Sequence, residues 1–128
     1  MHVVSQDNLL RDQQRALHAY ESVGKVPPEG REAYKILVND FAAAILRSGL
    51  SAALAGLQRK KSAATPLLEH IASAGIRVPG LAGANARDFA QLARKLDAEE
   101  YMLATRELLK VATWLKRAAQ ATFGGEQP

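Results

Sequence analysis

The chain contains no cysteine. That excludes disulfides, thiolate metal sites and a cysteine nucleophile, and it suits a reducing compartment, so a cytoplasmic location is expected. Long apolar runs are missing too. Nothing approaches the roughly 18 unbroken apolar residues of a membrane span. No apolar segment follows a basic start, so neither a membrane partner nor a secretory signal is expected. Alternating polar and apolar stretches, the mark of half-buried strands, are also absent. Aromatics are few: one tryptophan, three tyrosines and three phenylalanines. What remains is dominated by alanine and leucine. The 128 residues are 48% hydrophobic, the ordinary content of one globular domain. At this length a single core removes roughly two thirds of the unfolded surface from water without staples.

Charge is unevenly placed. Seventeen basic against thirteen acidic side chains give a net charge of +4. Residues 1–58 hold six of each sign, so the whole excess lies in residues 59–128. A local basic field favours an anionic partner without naming one. The cations in question are Arg59, Lys60 and Lys61, the densest cluster, then Arg94 and Lys95, and Arg106, Lys110, Lys116 and Arg117. Phosphate contacts need cations and no sequence-reading motif. No homeodomain, zinc-finger or RNA-recognition signature is present. Nucleic acid, if bound, would be read by backbone and shape.

The helical period predicts an all-α, single-domain bundle of five to six helices spanning residues 1–128. Ser5 caps a first helix over about residues 6–23, with Leu9, Leu10, Ala16, Leu17, Tyr20 and Val23 as its apolar stripe and Gly24 as its stop. GKVPPEG, residues 24–30, is a stiff connector, because paired prolines oppose helix and sheet. A second helix, about Arg31 to Arg47, buries Tyr34, Leu37, Val38, Phe41 and Ile45. Ser48 or Ser51 starts a short third helix through Leu57, buried through Leu50, Leu54 and Leu57. Thr65-Pro66 reads as a hydroxyl N-cap followed by proline at the first helical position. The fourth helix carries Leu67, Leu68 and Ile71 and closes at Gly75. Three glycines and a proline make residues 75–84 the expected flexible loop. Asn85 caps a fifth helix through about Leu96. Gly124-Gly125 ends the last helix, and residues 124–128 are expected to fray.

That last helix, Asp97 to Phe123, is the longest. Asp97 and Glu100 have capping-box spacing. Tyr101, Ala104, Leu108, Val111, Ala112, Leu115, Ala119 and Thr122 share one face at about 100° per residue. Arg106, Lys110 and Arg117 cluster on the opposite face. Leu103, Trp114 and Ala121 form a third stripe off the core. The stripe either completes the bundle or marks a contact with another subunit or with nucleic acid. Lys116 and Arg117 also suit the negative end of the helix dipole.

Catalytic patterns fail one by one. His2, His18 and His70 stand far apart, and Glu69-His70 lacks the second histidine of a zinc-protease helix. His70 reads as a surface or partly satisfied histidine rather than a ligand. The glycines at 75, 80 and 83 match no phosphate or dinucleotide loop. Ser48-Gly49 and Ser51 lack the strand–turn–helix context of a nucleophile elbow. Capping accounts for Asp97, Glu99 and Glu100. No metal, cofactor, small-molecule substrate or enzymatic activity is expected.

Two blocks carry a resemblance. One is ILRSGLSAALAGLQRK at 45–60; the other is LDAEEYMLATRELLKVATWLKRAAQA at 96–121, where Tyr101, Thr105, Glu107, Leu108, Trp114, Leu115, Lys116, Arg117 and Ala118 follow the pattern. LLEHI at 67–71 is a weaker third match. In these blocks the chain resembles the Cmr small-subunit family, the small subunit of type III-B CRISPR RNA-guided effector complexes. The resemblance implies a small all-α, non-catalytic protein of prokaryotic antiviral defence. It further implies assembly with other Cmr subunits and further copies of itself along guide RNA and target RNA. The residues' own chemistry nominates Arg59, Lys60, Lys61, Arg106, Lys110, Lys116 and Arg117 for nucleic acid, and Leu103 and Trp114 for a subunit interface. Its rival is a helical protein–protein adaptor whose basic face meets an acidic protein.

Overall fold

The computed structural model describes residues 10–123. The expected Ser5 cap, Leu9, the Gly124-Gly125 stop and the fraying tail lie outside the described residues. Six α-helices follow one another: α1 (Arg11–Gly24), α2 (Arg31–Ser48), α3 (Leu50–Arg59), α4 (Thr65–Ala72), α5 (Ala86–Arg94) and α6 (Ala98–Phe123). Single 3-10 turns at Pro28–Gly30, Lys61–Ala64 and Pro79–Leu81 join them. There is no strand among the described residues.

Helices α2 and α6 form the central pair. One side of α6 takes α1 and another takes α2, while α2 passes α3 on its far side; α5 packs on α3 and α4. The α2 stripe is the one its spacing predicts, with Tyr34, Leu37, Val38, Phe41 and Ile45 all buried. They meet Leu50, Leu54 and Leu57 of α3, Leu67 and Ile71 of α4, Phe89 of α5, and Leu108 and Leu115 of α6 in one core. Each fully buried Leu, Ile or Phe contributes about 1.5–3 kcal/mol of transfer free energy. On α6 the buried set is Ala104, Leu108, Val111, Ala112, Leu115, Ala118, Ala119 and Phe123. Four of these eight are alanines, which lets neighbouring backbones lie close.

The α6 terminus departs from its expected stripe. Thr122 is exposed and Phe123 is buried in its place. Phe123 stands edge-on to Tyr34 at 6.4 Å, and the Arg31 guanidinium lies 5.1 Å from its ring centroid. Tyr101 is partly buried because its hydroxyl has work at a helix start: it accepts a hydrogen bond of 2.9 Å from the Ser51 N–H. Neither Ser48 nor Ser51 caps α3. Gly49 holds the cap position at φ 91°, a left-handed conformation that favours glycine, and α6 supplies the missing acceptor.

Two further start signals resolve differently. Thr65 is the first residue of α4 rather than its cap, because the 3-10 turn Lys61–Ala64 runs straight into the helix. Asp97 does accept from the Glu100 N–H at 2.9 Å. The Glu100 carboxylate, however, reaches the Gly80 N–H at 2.8 Å. That bond, with Val78 and Leu81 buried, pins the glycine-rich segment to the bundle. A Cβ at Gly80 would collide with Leu96 and meet the Glu100 carboxylate. Asn85 caps α5 as its position predicts, accepting from Asp88 N–H at 2.9 Å.

The largest correction concerns α1. Leu10, Leu17 and Tyr20 of its expected apolar stripe are exposed, and Ala16 is only partly buried. Arg15, Ala19, Ser22 and Val23 face the core instead. The reason is Glu107 on α6. Its Oε1 accepts one hydrogen bond from Arg11 and one from Arg15, each 2.9 Å. Burial alone would raise this carboxyl, but the Arg15 and Arg11 hydrogen bonds and charges outweigh it and hold Glu107 below its ordinary value. A half-buried carboxylate needs that compensation, and only one face of α1 offers it.

A second polar cluster lies between α1, α2 and α4. Tyr34 donates from its hydroxyl to His70 Nδ1 at 2.7 Å, and His18 Nε2 donates to the His70 carbonyl at 2.8 Å. Burial pushes the Tyr34 hydroxyl up, so it stays protonated. Burial first, then the charges of His18 and Lys25, push His70 down to about 4. His70 is therefore a partly satisfied histidine, not a free ligand.

Both polar clusters should register in stability. Glu107→Gln should cost about 3–5 kcal/mol in urea denaturation, because Arg15 stays buried without its counter-charge; the double variant Arg15→Met, Glu107→Leu should regain most of it. The folded state keeps His70 neutral, so this stabilisation is complete above 6.5 and is lost as pH falls from 6.5 towards about 4. Melting temperature should drop across that window. His70→Asn, whose amide oxygen can replace Nδ1 as acceptor, should flatten the drop.

Candidate nucleic-acid interface

The α6 spacing places Arg106, Lys110 and Arg117 on its solvent side, and all three are exposed. Over that interval the helix rises roughly 16 Å. Lys110 and Arg117 form one wall of a cleft with Leu109, Thr113 and Trp114; the other wall is Arg11, Asp12 and Arg15 of α1. Arg106 stands outside this cleft. Four cations and one carboxylate line it, so its field favours an anion.

Trp114 sits on the cleft wall, half-buried. Its indole N–H donates to Asp12 at 3.0 Å, and the Arg117 guanidinium lies 5.2 Å from its ring centroid. Leu103 and Trp114 both pack against the core while keeping part of their surface open. The indole therefore binds α1 to α6 and still offers an edge to the cleft.

Arg59, Lys60 and Lys61 are exposed at the end of α3. Lys61 takes a left-handed conformation, φ 53°, as the chain turns into the next 3-10 segment. Arg59 and Lys60 line a different cleft, between α2 and α3, with Arg47 and Asp40. The fold thus places Lys110 and Arg117 in one cleft and Arg59 and Lys60 in another, and leaves Lys61, Arg106 and Lys116 outside both. Lys116 is set apart on its own helix. It lies about 100° round α6 from Arg117 and is partly buried.

The cations of these two clefts that sequence reading passed over are Arg11, Arg15 and Arg47. Arg11 and Arg15 are four residues apart and therefore share a helical face. That face looks solvent-directed if Leu10, Leu17 and Tyr20 are taken as the buried side. A further cleft, about 820 Å³ between α4 and α5, has Glu69 and Arg87 as its charged lining. Among the described residues no three His, Asp or Glu side chains gather where a metal ion would sit. No helix among them is long and apolar enough to cross a membrane.

The arrangement makes a stability prediction. Arg106→Gln and Lys110→Gln should each change the unfolding free energy from urea denaturation by no more than about 0.5 kcal/mol, because both side chains stand in solvent. Trp114→Phe, which keeps an aromatic ring and loses the N–H donated to Asp12, should cost about 1 kcal/mol.

Comparison with known proteins covers nearly all of this structure. The family model described as CRISPR-associated protein (Cas_Cmr5) matches residues 11–122. The CRISPR system Cmr subunit Cmr5 of Thermus thermophilus is 34% identical over 113 residues, 87% of this chain and 94% of that protein. A crystal structure of a CRISPR-associated Cmr5 family protein from the same organism matches with a TM-score of 0.77 and 33% identity, over 88% of this chain and 97% of that one.

Proposed function

Because the chain belongs to the Cmr5 family of CRISPR-associated proteins, we propose that it is the non-catalytic small subunit of a type III-B Cmr effector complex. In this reading it works in the prokaryotic cytoplasm. It scaffolds the complex beside other Cmr subunits and further copies of itself, and it contacts the backbones of guide RNA and target RNA.

The observation that carries the RNA part is the α1–α6 cleft. Lys110, Arg117, Arg11 and Arg15 converge there beside a half-buried tryptophan. Cations at helical spacing meet phosphates without reading bases, and an indole edge adds a surface on which a base or a neighbouring protein can rest. The Arg59, Lys60 and Lys61 cluster gives each subunit a second phosphate contact. Individually weak contacts add through multivalency when several copies line one RNA.

The scaffolding part has support of its own. Leu17 and Tyr20 on α1, Ile36 and Leu46 on α2, and Met102 on α6 are exposed large apolar side chains. With Leu103 and Trp114 they supply surface for subunit contact.

Binding of an RNA duplex at two salt concentrations tests the reading. Affinity should fall steeply with salt. Arg106→Ala, Lys110→Ala and Arg117→Ala together should lower the slope by about two to three charges, at about 0.7–0.9 per phosphate. Failure to bind RNA alone or in the assembled complex, with binding to an acidic protein instead, would replace this reading by that of a basic-faced adaptor.

A further inference from the structure

On the other side of Arg11 and Arg15 lies a second, smaller cleft. Its walls are Arg11, Gln14, Arg15 and His18 of α1, and Ser73, Ala74, Gly75 and Arg77 from the segment after α4. Three arginines line it and no carboxylate does. From this cleft we propose a binding site for a single phosphate group, formed where α1 meets the α4–α5 connector. The proposal rests on the RNA-contact reading only for the source of the phosphate. The chemistry stands by itself and is shared by an RNA backbone phosphate and free phosphate.

Four observations support it. First, the charge does not balance. Arg11 and Arg15 share one oxygen of one carboxylate, Glu107 Oε1. Asp12 is 4.0 Å from Arg15 and exposed. Arg77 is exposed and has no ion-pair or hydrogen-bond partner among the described residues. Three guanidinium groups therefore stand against one firmly paired carboxylate, Glu107, and the exposed Asp12, and a phosphate group carrying one negative charge would neutralise the surplus.

Second, Arg15 is 8% exposed, and its Nε–H is the single buried side-chain donor or acceptor without a partner among the described residues. A buried donor left unmade costs about 1–3 kcal/mol, and it sits on one of the two arginines common to both clefts.

Third, the size suits one small anion. The cleft holds about 230 Å³, below the roughly 300–1,000 Å³ of pockets that enclose larger organic ligands. Fourth, Arg77 is carried by the connector that Gly75 opens at φ 72°, and Val78 beside it is buried. The third arginine is thus held near the other two by an anchored backbone. His18 lines the cleft too, and its Nε2, committed to the His70 carbonyl, holds the ring in place.

The test uses the full chain, isotopically labelled, and titrates sodium phosphate against sodium chloride at constant ionic strength. Phosphate should shift the amide resonances of residues 11–18 and 73–77, and chloride should not. Arg77→Gln breaks no contact in the fold. It should weaken phosphate binding about tenfold, the loss of one charge-assisted hydrogen bond, while leaving thermal stability unchanged. Lys110→Gln should leave these phosphate shifts intact. If phosphate moves no resonance in these segments, or if Arg77→Gln binds it as tightly as the unaltered chain, the site is overturned.

An RNA duplex then separates the sources. A several-fold loss of RNA affinity in Arg77→Gln supports the site with a backbone phosphate as its occupant. Phosphate binding without any RNA binding supports it with free phosphate as occupant, and the RNA-contact reading falls alone. RNA binding that needs Lys110 and Arg117 but ignores Arg77, without phosphate shifts, overturns the site and leaves that reading standing.

Discussion

Glu107 decides where α1 lies. Its carboxylate is partly withdrawn from water on the middle of α6, and two arginines four residues apart on α1 complete its coordination. The pair-wise Coulomb gain alone would not justify burying these charges, since desolvation takes most of it back. What the arrangement supplies is orientation. It turns Leu10, Leu17 and Tyr20 outward and presses the small side chains of Ala19, Ser22 and Val23 against α6. Apolar burial by itself would have rotated α1 the other way.

Both clefts on this side of the molecule are consequences of that rotation. Arg11 and Arg15 stand on the ridge between them, with Lys110, Trp114 and Arg117 on one slope and His18 and Arg77 on the other. Trp114 reinforces the same docking by donating to Asp12. A helix held to its neighbour through ion pairs and one indole N–H leaves its cations half-satisfied and close to solvent. That is the physical state in which guanidinium groups can exchange protein oxygens for phosphate oxygens.

The opposite half of the bundle is built on different terms. There α2, α3, α4 and α5 meet through continuous apolar faces, and α6 contributes alanines that permit close approach. Apart from the Tyr34–His70 pair, polar groups in this half start helices or pin a turn: the Tyr101 hydroxyl at α3, Asn85 at α5 and the Glu100 carboxylate at Gly80. The Arg59–Lys61 cluster belongs to this half. Its cations are carried on a helix end, and a left-handed Lys61 turns the chain there.

Much of this was legible in the chain itself. The all-helical class, the helix order, the α2 stripe, the long last helix and its solvent-facing Arg106, Lys110 and Arg117 all follow from local period and capping, which act over three or four residues. Family membership was legible for the same reason, since its two blocks are continuous segments. Tertiary structure decided the rest: which face of α1 is buried, that Tyr101 rather than a serine serves α3, that Glu100 holds Gly80, and that Lys110 and Arg117 fall in a different cleft from Arg59 and Lys60. Each of these depends on a polar group finding its partner at long range: Glu107 is 92 residues from Arg15, and Tyr101 is 50 from Ser51. Hydrophobic period states which surfaces want to leave water, but a buried donor or acceptor is satisfied only by the group that folding brings beside it.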